Sequence, residues 1–237
     1  MSIIIDMVLY ELNAAIIKRG VTNMKKIAFI SPGPGTGKTT AMINIGAGLH
    51  LQGKRVLLSP HMDDALFDSW LFDSASNYES TVYYHDKIGV SVMGDYRLGI
   101  PNQEKDYDYH LTEFGNNEVE LAEISTFTII VCCVKAGNIN RDNLIVMEQN
   151  LRKLSVGQRG IDLIIPGMAH AGEWENNSRQ LFRLADMFGE DRIADFIPYC
   201  EAIHDLPLLK QHVWMLPDHY RNRKEAFKRL LDRIVSI

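Results

Sequence analysis

A glycine-rich segment in the first fifth of the chain combines residue types that bind anions. It reads Ser31-Pro32-Gly33-Pro34-Gly35-Thr36-Gly37-Lys38-Thr39-Thr40. Glycines allow several backbone N–H groups to face one anion, and the lysine and hydroxyl groups add positive charge and further hydrogen bonds. Phosphate-binding loops have the spacing G-x-x-x-x-G-K-[ST], which this segment meets except at its first position, where Pro32 stands in place of glycine. The segment is therefore predicted to bind phosphate groups.

Several residues of this loop have separate expected roles. Lys38 is expected to reach the β and γ phosphates of a nucleotide, Thr39 to place its hydroxyl on Mg²⁺, and Thr40 to lie near the α phosphate. We therefore predict ATP or ADP with Mg²⁺ as cofactors, and ATP over GTP because the chain has no Asn/Thr-Lys-x-Asp guanine motif. The loop residues predicted to contact the nucleotide are Gly33, Pro34, Gly35, Thr36, Gly37, Lys38, Thr39 and Thr40.

The elements around the loop have the order that this chemistry requires. A strand is predicted at residues 24–30, a helix at 39–52 that is closed by Gly53, and a second strand at 54–58, which together form one βαβ unit. Further strands are predicted at 89–93, 109–112, 127–134, 162–165 and 193–198, and helices at 140–154, 177–188 and 219–235. This alternation predicts an α/β fold with a doubly wound, mostly parallel sheet and helices on both faces.

Composition and length indicate one domain over residues 1–237, with a helical extension at 1–23, including a helix at 8–19, and a core at 24–237. The net charge of -5 argues against a protein coated with nucleic acid. The three cysteines, Cys132, Cys133 and Cys200, contain no CxxC pair, so we expect neither a zinc site nor disulfides, and a reducing cytoplasm. The apolar start carries Asp6 and Glu11 where a signal peptide has basic residues, so we expect no export.

Residues 25–58 resemble the opening of the ParA/MinD-type ATPases. The resemblance is carried by the phosphate loop, by Asn44 and the small residues after it, and by Gly53-Lys54-Arg55-Val56-Leu57-Leu58. Farther along, Tyr107-Asp108-Tyr109 resembles the strand that ends in the Walker B aspartate, and Phe196-Ile197-Pro198-Tyr199 resembles the segment whose loop lies along the adenine. The resemblance implies a P-loop NTPase fold with three α/β/α layers, adds Pro198 to the nucleotide contacts, and implies a homodimer with nucleotide near the interface.

Three positions depart from the pattern of that family. Gly33 stands where relatives have a signature lysine, and Ser59-Pro60-His61-Met62-Asp63-Asp64 stands where they have Asp-x-Asp. Glu113 stands at the Walker B position, where its extra methylene is expected to displace the carboxylate. The candidate catalytic residues are therefore Lys38, Asp63, Asp64 and Glu113, and the candidate metal residues are Thr39 and Glu113. Because Asp is also a common helix N-cap, Asp63 and Asp64 have that alternative role. We expect ATP binding with slow hydrolysis.

The resemblance implies a positioning or partition ATPase that acts as a nucleotide-gated switch and recruits a protein partner not identified by the sequence. Two alternatives stay open at this point. The first alternative is a regulator similar to the bacterial tyrosine kinases, whose phosphate-loop sequence resembles Pro34-Gly35. Against it, the tail after Leu231 has no tyrosine cluster to be phosphorylated. The second alternative is a non-hydrolysing, nucleotide-bound scaffold for a pilus or secretion localisation system.

The predicted helix at 219–235 carries a second candidate binding surface. Its basic residues are Arg221, Arg223, Lys224, Lys228, Arg229 and Arg233. Such a helix either forms a solvated face or binds DNA or an anionic membrane. We therefore expect the protein in the cytoplasm or at the periphery of the membrane or nucleoid.

Overall fold

The computed structural model describes residues 24–60, 65–72, 82–93, 106–115, 123–155 and 158–237. In chain order, its strands and longer helices are β1 (Lys25–Ile30), α1 (Lys38–Leu51), β2 (Val56–Pro60), α2 (Ala65–Leu71), β3 (Val82–His85), β4 (Val90–Met93), β5 (Tyr109–Glu113), β6 (Ile129–Lys135), α3 (Arg141–Leu154), β7 (Leu163–Gly167), α4 (Trp174–Phe188), α5 (Glu201–His204), α6 (Leu206–Leu209) and α7 (Arg221–Ser236). Within these ranges, no helix is both long and apolar enough to cross a membrane.

The strands form one seven-stranded sheet in the order β3-β4-β2-β5-β1-β6-β7. Every neighbouring pair is parallel except β3 and β4, which are antiparallel. The continuous apolar runs of β1 and β6 are buried on both faces, as parallel strands require. The predicted α/β fold with a mostly parallel sheet is confirmed.

Helices cover both faces of this sheet and create two apolar cores. On one face, α1 packs on the sheet and α7 packs on α1, with Phe227 and Leu230 of α7 fully buried. On the other face, α3 contributes Leu144 and α4 contributes Leu184. The three-layer arrangement follows from the sequence, because each strand that is apolar on both faces needs one helical layer above it and one below.

Helix α1 is buried on nearly all sides because it lies between the sheet and α7. Gly48 permits this close approach. A Cβ atom placed on Gly48 would lie 2.8 Å from both the Trp214 ring and a methyl group of Leu231. Asn44 adds polar contacts, since its side chain accepts a hydrogen bond from the Val213 N–H at 2.6 Å and the Trp214 indole donates to the Asn44 carbonyl at 2.9 Å. The helix that begins at the phosphate loop is thus tied to the segment before α7.

The structure corrects some of the predicted elements. Residues 193–198 are not a strand but run beside β7 with only two isolated bridges, Ile164 with Ile193 and Ala169 with Pro198. A regular ladder is interrupted at Pro166, which has no N–H to donate to the neighbouring segment. The sequence patterns also missed β3, α5 and α6, which are short, and gave no bounds for α2. They started the helix at 177–188 three residues too late. The predicted helix at 8–19 lies outside the described residues.

Candidate functional site

The phosphate loop joins β1 to α1 at the carboxyl edge of the sheet. Two of its glycines, Gly35 with φ +66° and Gly37 with φ +82°, adopt the left-handed conformation that residues with a Cβ atom rarely tolerate. Around Gly33, Gly35 and Gly37, an added Cβ would meet no described atom within 4 Å, so the loop is open on this side. Gly37 precedes α1 without a side-chain cap, and the first N–H groups of the helix remain available to an anion.

The position of β1 decides which side chains reach the loop. The chain leaves β1 toward β2, on the β5 side, and later crosses to β6 on the other side. Ligands of open α/β sheets bind at such a reversal, at the carboxyl ends of the strands. Phe29 pairs with Glu113 in the parallel ladder between β1 and β5, and this register places Glu113 beside the loop.

Two hydrogen bonds connect the loop to the end of β5. The Lys38 ammonium donates to the Phe114 carbonyl at 2.6 Å. The Thr39 hydroxyl donates to Oε2 of Glu113 at 2.8 Å. The first bond joins residues 76 positions apart in the sequence, and the second joins residues 74 positions apart. The structure therefore brings Lys38 and Thr39 together with Glu113.

The Thr39 hydroxyl and the Glu113 carboxylate are compatible with a magnesium site. Both groups offer hard oxygen atoms, which Mg²⁺ prefers, and both side chains are buried beneath the open glycine loop. The expected displacement of the carboxylate does not separate the two residues, because Glu113 reaches the Thr39 hydroxyl at hydrogen-bond distance. The donor set fits a metal that also takes ligands from bound phosphates.

A cavity of about 430 Å³ opens beside the loop. Its lining includes Gly35, Thr36, Gly37 and Thr40 from the loop and the start of α1, and Pro198 and Tyr199 from the segment after β7. The remaining lining is mainly apolar, with Cys133 and Ile165 from the sheet. Burial raises the pKa of the Cys133 thiol to about 12, so this group is a neutral, apolar part of the lining. The cavity can hold a flat organic group next to phosphates on the loop.

Comparison with known proteins identifies the fold around this site. No family model and no curated protein matches the sequence. Among solved structures, the chain is similar to McdA of Cyanothece in complex with ATP, with a TM-score of 0.73 and 16% identity over 90% of this chain and 96% of McdA. The chain has the fold of the ParA/MinD-type P-loop ATPases.

Two further structures support this assignment of the fold. A putative plasmid partition protein of Borrelia burgdorferi B31, bound to AMPPNP, has a TM-score of 0.65 and 17% identity over 89% of this chain and 99% of its own. The MinD cell division protein of Aquifex aeolicus has a TM-score of 0.67 and 18% identity over 90% of this chain and 98% of its own. The ParA/MinD-type fold thus extends over most of the described chain.

The end of β2 carries a buried polar residue that contacts two side chains of β5. Ser59 is fully buried, and its hydroxyl contacts Nε2 of His110 at 2.7 Å and the Thr112 hydroxyl at 3.2 Å. Burial lowers the pKa of His110 to about 3, so the imidazole is neutral at pH 7. These three side chains form a polar cluster within the sheet. Asp63 and Asp64 lie outside the described residues.

Four of the six basic residues of α7 lie near an oxygen atom of the same chain. Arg229 donates to Asp195 at 2.7 Å, and Arg233 donates to the Asp191 carbonyl. Lys224 and Lys228 each lie 4.0 Å from a carboxylate oxygen, of Asp218 and Glu225 respectively. Such pairing reduces the positive field of the helix and favours a solvated face over a polyanion site.

Sequence reasoning missed the polar cluster on β5 and the contacts of Asn44, and it singled out residues 196–199 only through their resemblance to the family. The polar residues His110 and Thr112 alternate with apolar ones along β5, which was a usable signal for a polar cluster. Asn44 was noted only for its likeness to the family, and its contacts to the segment before α7 had no signal in the sequence. The position of Tyr199 on the cavity wall depends on how residues 196–199 pack against β7.

Proposed function

We propose that this chain binds ATP with Mg²⁺ and acts as a nucleotide-gated switch similar to the ParA/MinD positioning and partition ATPases. The observation that carries the proposal is the Thr39–Glu113 hydrogen bond beneath an open glycine loop, with Lys38 on the same helix turn. The Thr39 hydroxyl, the Glu113 carboxylate and the Lys38 ammonium group therefore lie together at one edge of the sheet. This is the set of groups that a phosphate-bound magnesium site needs.

Each residue has a proposed task in binding. Lys38 exchanges the Phe114 carbonyl for phosphate oxygens, because an anion is a stronger partner for an ammonium group than a neutral carbonyl. Glu113 accepts a hydrogen bond from the Thr39 hydroxyl, which leaves the lone pairs of that hydroxyl available to a metal ion. Mg²⁺, when bound, neutralises phosphate charge. Gly33, Pro34, Gly35, Thr36, Gly37 and Thr40 provide the surrounding loop surface, and Pro198 lines the adjacent cavity.

Hydrolysis is proposed to be slow. Gly33 has no side chain that could reach the phosphates of a second subunit. Pro60 and Met62 stand at the positions expected for Asp-x-Asp, and Glu113 stands at the position expected for the Walker B aspartate. A misplaced group can reduce a reaction rate by about 100-fold. Lys38, Glu113, Asp63 and Asp64 remain the candidate catalytic residues. A long-lived ATP state suits a protein that marks a location until a partner releases it.

The proposed output is a homodimer that recruits a protein partner, in the cytoplasm or at the membrane or nucleoid periphery. A ligand can drive such an assembly only through different affinities for the two states. We expect nucleotide to affect dimerisation weakly, because Gly33 offers no cross-subunit phosphate contact. Light scattering with and without ATP and Mg²⁺ tests this point, and a monomer under all conditions would contradict the switch.

Calorimetric titration with ATP and Mg²⁺ tests the central proposal. Lys38→Ala is expected to weaken binding by at least about 10-fold, the scale of a lost charged hydrogen bond. Lys54→Ala is the matched control, since Lys54 is exposed and does not line the cavity beside the loop. If wild-type protein binds no ATP, or if both variants bind equally well, the proposal is wrong. Phosphate release well above about 1 s⁻¹ would contradict slow hydrolysis.

A further inference from the structure

A second cavity, of about 600 Å³, lies at the edge of the sheet where β6 and β7 begin. The phosphate loop lies at the opposite edge, and none of its residues lines this cavity. The charged lining comes from four parts of the chain, namely the end of α3, the segment before β7, the turn after α4 and α7. It consists of Arg152, Arg159, Asp162, Asp191, Arg192 and Arg233. Four guanidinium groups thus line one concavity in a chain whose net charge is -5.

Glu148, a buried carboxylate of α3, holds two of these arginines. It accepts hydrogen bonds from Arg152 at 2.8 Å, from Arg192 at 2.9 Å and from the Ile161 N–H at 2.7 Å. Burial alone would raise the pKa of Glu148, but the hydrogen bonds from Ile161 and Arg192 outweigh it and lower the pKa, so the group is ionised at neutral pH. These charge-assisted bonds fix both guanidinium groups without a ligand.

Arg159 is fixed by the backbone before β6 and by one carboxylate. Its guanidinium donates to the Phe127 carbonyl at 3.0 Å, to the Thr128 carbonyl at 2.6 Å and to Asp162 at 3.0 Å. The side chain stays 39% exposed, so it remains accessible from the cavity. Three of the four guanidinium groups are therefore held in place before any ligand arrives.

Arg233 of α7 is the one of the four that forms no ion pair with a described carboxylate. Its one hydrogen bond within the described chain goes to the Asp191 carbonyl, although a guanidinium group has five N–H donors. The Asp191 carboxylate lies instead against Gly189, where an added Cβ would be 2.7 Å from its Oδ1. Arg233 is half-buried, and a half-buried charge without a counter-ion is costly. An anion in the cavity would remove this cost.

We propose that this cavity binds a small anion that carries a phosphate group. The planar guanidinium fork matches phosphate oxygens, and a phosphate group offers more acceptor oxygens than a planar carboxylate does. This suits donors that come from four parts of the chain. The ligand is small, because the guanidinium groups line one concavity and do not follow an extended face. The cavity is thus distinct from a polyanion surface on the exposed side of α7.

Calorimetric titration of Lys38→Ala protein with inorganic phosphate and with ribose 5-phosphate tests this inference at constant ionic strength. The Lys38→Ala background is used because the phosphate loop is itself an anion site. Adding Arg233→Gln, whose amide can still donate to the Asp191 carbonyl, is expected to weaken binding of both compounds at least about 10-fold. Arg233→Lys keeps the charge but loses the fork, and its affinity is expected to lie between the two.

Arg229→Gln in the same background is the matched control. It removes the same charge from the same helix, but Arg229 donates to Asp195 at 2.7 Å and does not line this cavity. We expect its phosphate affinity to stay within about twofold of the parent, since exposed ion pairs contribute little. Circular dichroism verifies that each variant is folded.

The two compounds distinguish the source of the phosphate group. Tighter binding of ribose 5-phosphate identifies a phosphate monoester as the ligand, and equal binding identifies free phosphate; both results support the site. The inference is overturned if Lys38→Ala protein binds neither compound, if Arg233→Gln binds as tightly as its parent, or if Arg229→Gln weakens binding equally. It does not rest on nucleotide binding, because Arg233→Gln in the otherwise unchanged chain is expected to bind ATP and Mg²⁺ like wild type.

Discussion

Among single residues, Glu113 is the one that connects the end of β5 with the phosphate loop. The register of β1 with β5 sets its Cα beside the loop, and the carboxylate still reaches the Thr39 hydroxyl at 2.8 Å. The side chain is only 3% exposed, so its charge acts in surroundings with little water. Electrostatic interactions are stronger there than at the surface.

Glu113→Gln tests whether this charge serves the metal. The amide oxygen can still accept the Thr39 proton, but the negative charge is absent. We expect the gain in ATP affinity on adding Mg²⁺ to fall about 10-fold, while affinity in EDTA stays unchanged. Glu175→Gln, at a side chain that is 91% exposed on α4, is the control. If Glu113→Gln loses ATP affinity equally with and without Mg²⁺, Glu113 has a role in folding instead of a role at the metal.

At the scale of elements, α1 carries the site and is held at several points along its length. Asn44 donates to the Thr40 carbonyl at 2.8 Å and accepts from the Val213 N–H at 2.6 Å. One buried amide thus joins the first turn of the phosphate helix to the segment that leads into α7. The stability of that helix is linked to contacts far from the loop.

Asn44→Ala is expected to lower the free energy of unfolding by about 2 kcal/mol, because the buried Val213 N–H loses its acceptor. Urea denaturation followed by circular dichroism measures this change. Asn222→Ala, at an exposed position of α7, is expected to stay within about 0.5 kcal/mol of wild type. If Asn44→Ala lowers the free energy of unfolding no more than Asn222→Ala does, the Val213 N–H finds another hydrogen-bond acceptor in the variant.

At the scale of the whole molecule, two buried histidines make stability depend on pH. Burial lowers the pKa of His110 to about 3 and that of His212 to about 4. Both imidazoles are ordinary bases in the unfolded chain, with a pKa near 6.5. Below that pH the unfolded chain binds protons that the folded chain does not, so acid favours unfolding.

The free energy of unfolding is therefore expected to fall as pH decreases from 6.5 toward 4. Each histidine contributes a slope of at most about 1.4 kcal/mol per pH unit in this window. Urea titrations at pH 7.5, 6.5, 5.5 and 4.5 measure the slope. His110→Gln is expected to reduce it, and His219→Gln, at an exposed position, to leave it unchanged. A slope that is the same in all three proteins would exclude His110 as a cause.

The charge pairing around α7 leads to a second prediction for the whole molecule. Because Arg229, Lys228 and Lys224 lie near carboxylates, we expect no binding to duplex DNA or anionic vesicles even at low salt. Fluorescence anisotropy and vesicle sedimentation measure this. Binding that weakens steeply with added salt would contradict the prediction, and Lys228→Glu would then be expected to reduce it. Leu51→Glu, an exposed change outside α7, is the corresponding control.

The amino-acid sequence was sufficient to predict the loop, the order of its flanking elements and the class of sheet. These features are local, since glycine, lysine and apolar runs act through their own backbone conformation and burial. The contact of Glu113 with Thr39, the contact of Ser59 with His110 and the lack of a regular strand at residues 193–198 became visible only in the fold. Each of these outcomes depends on strand order and register, which bring together residues far apart in the chain and are set by packing of the whole sheet.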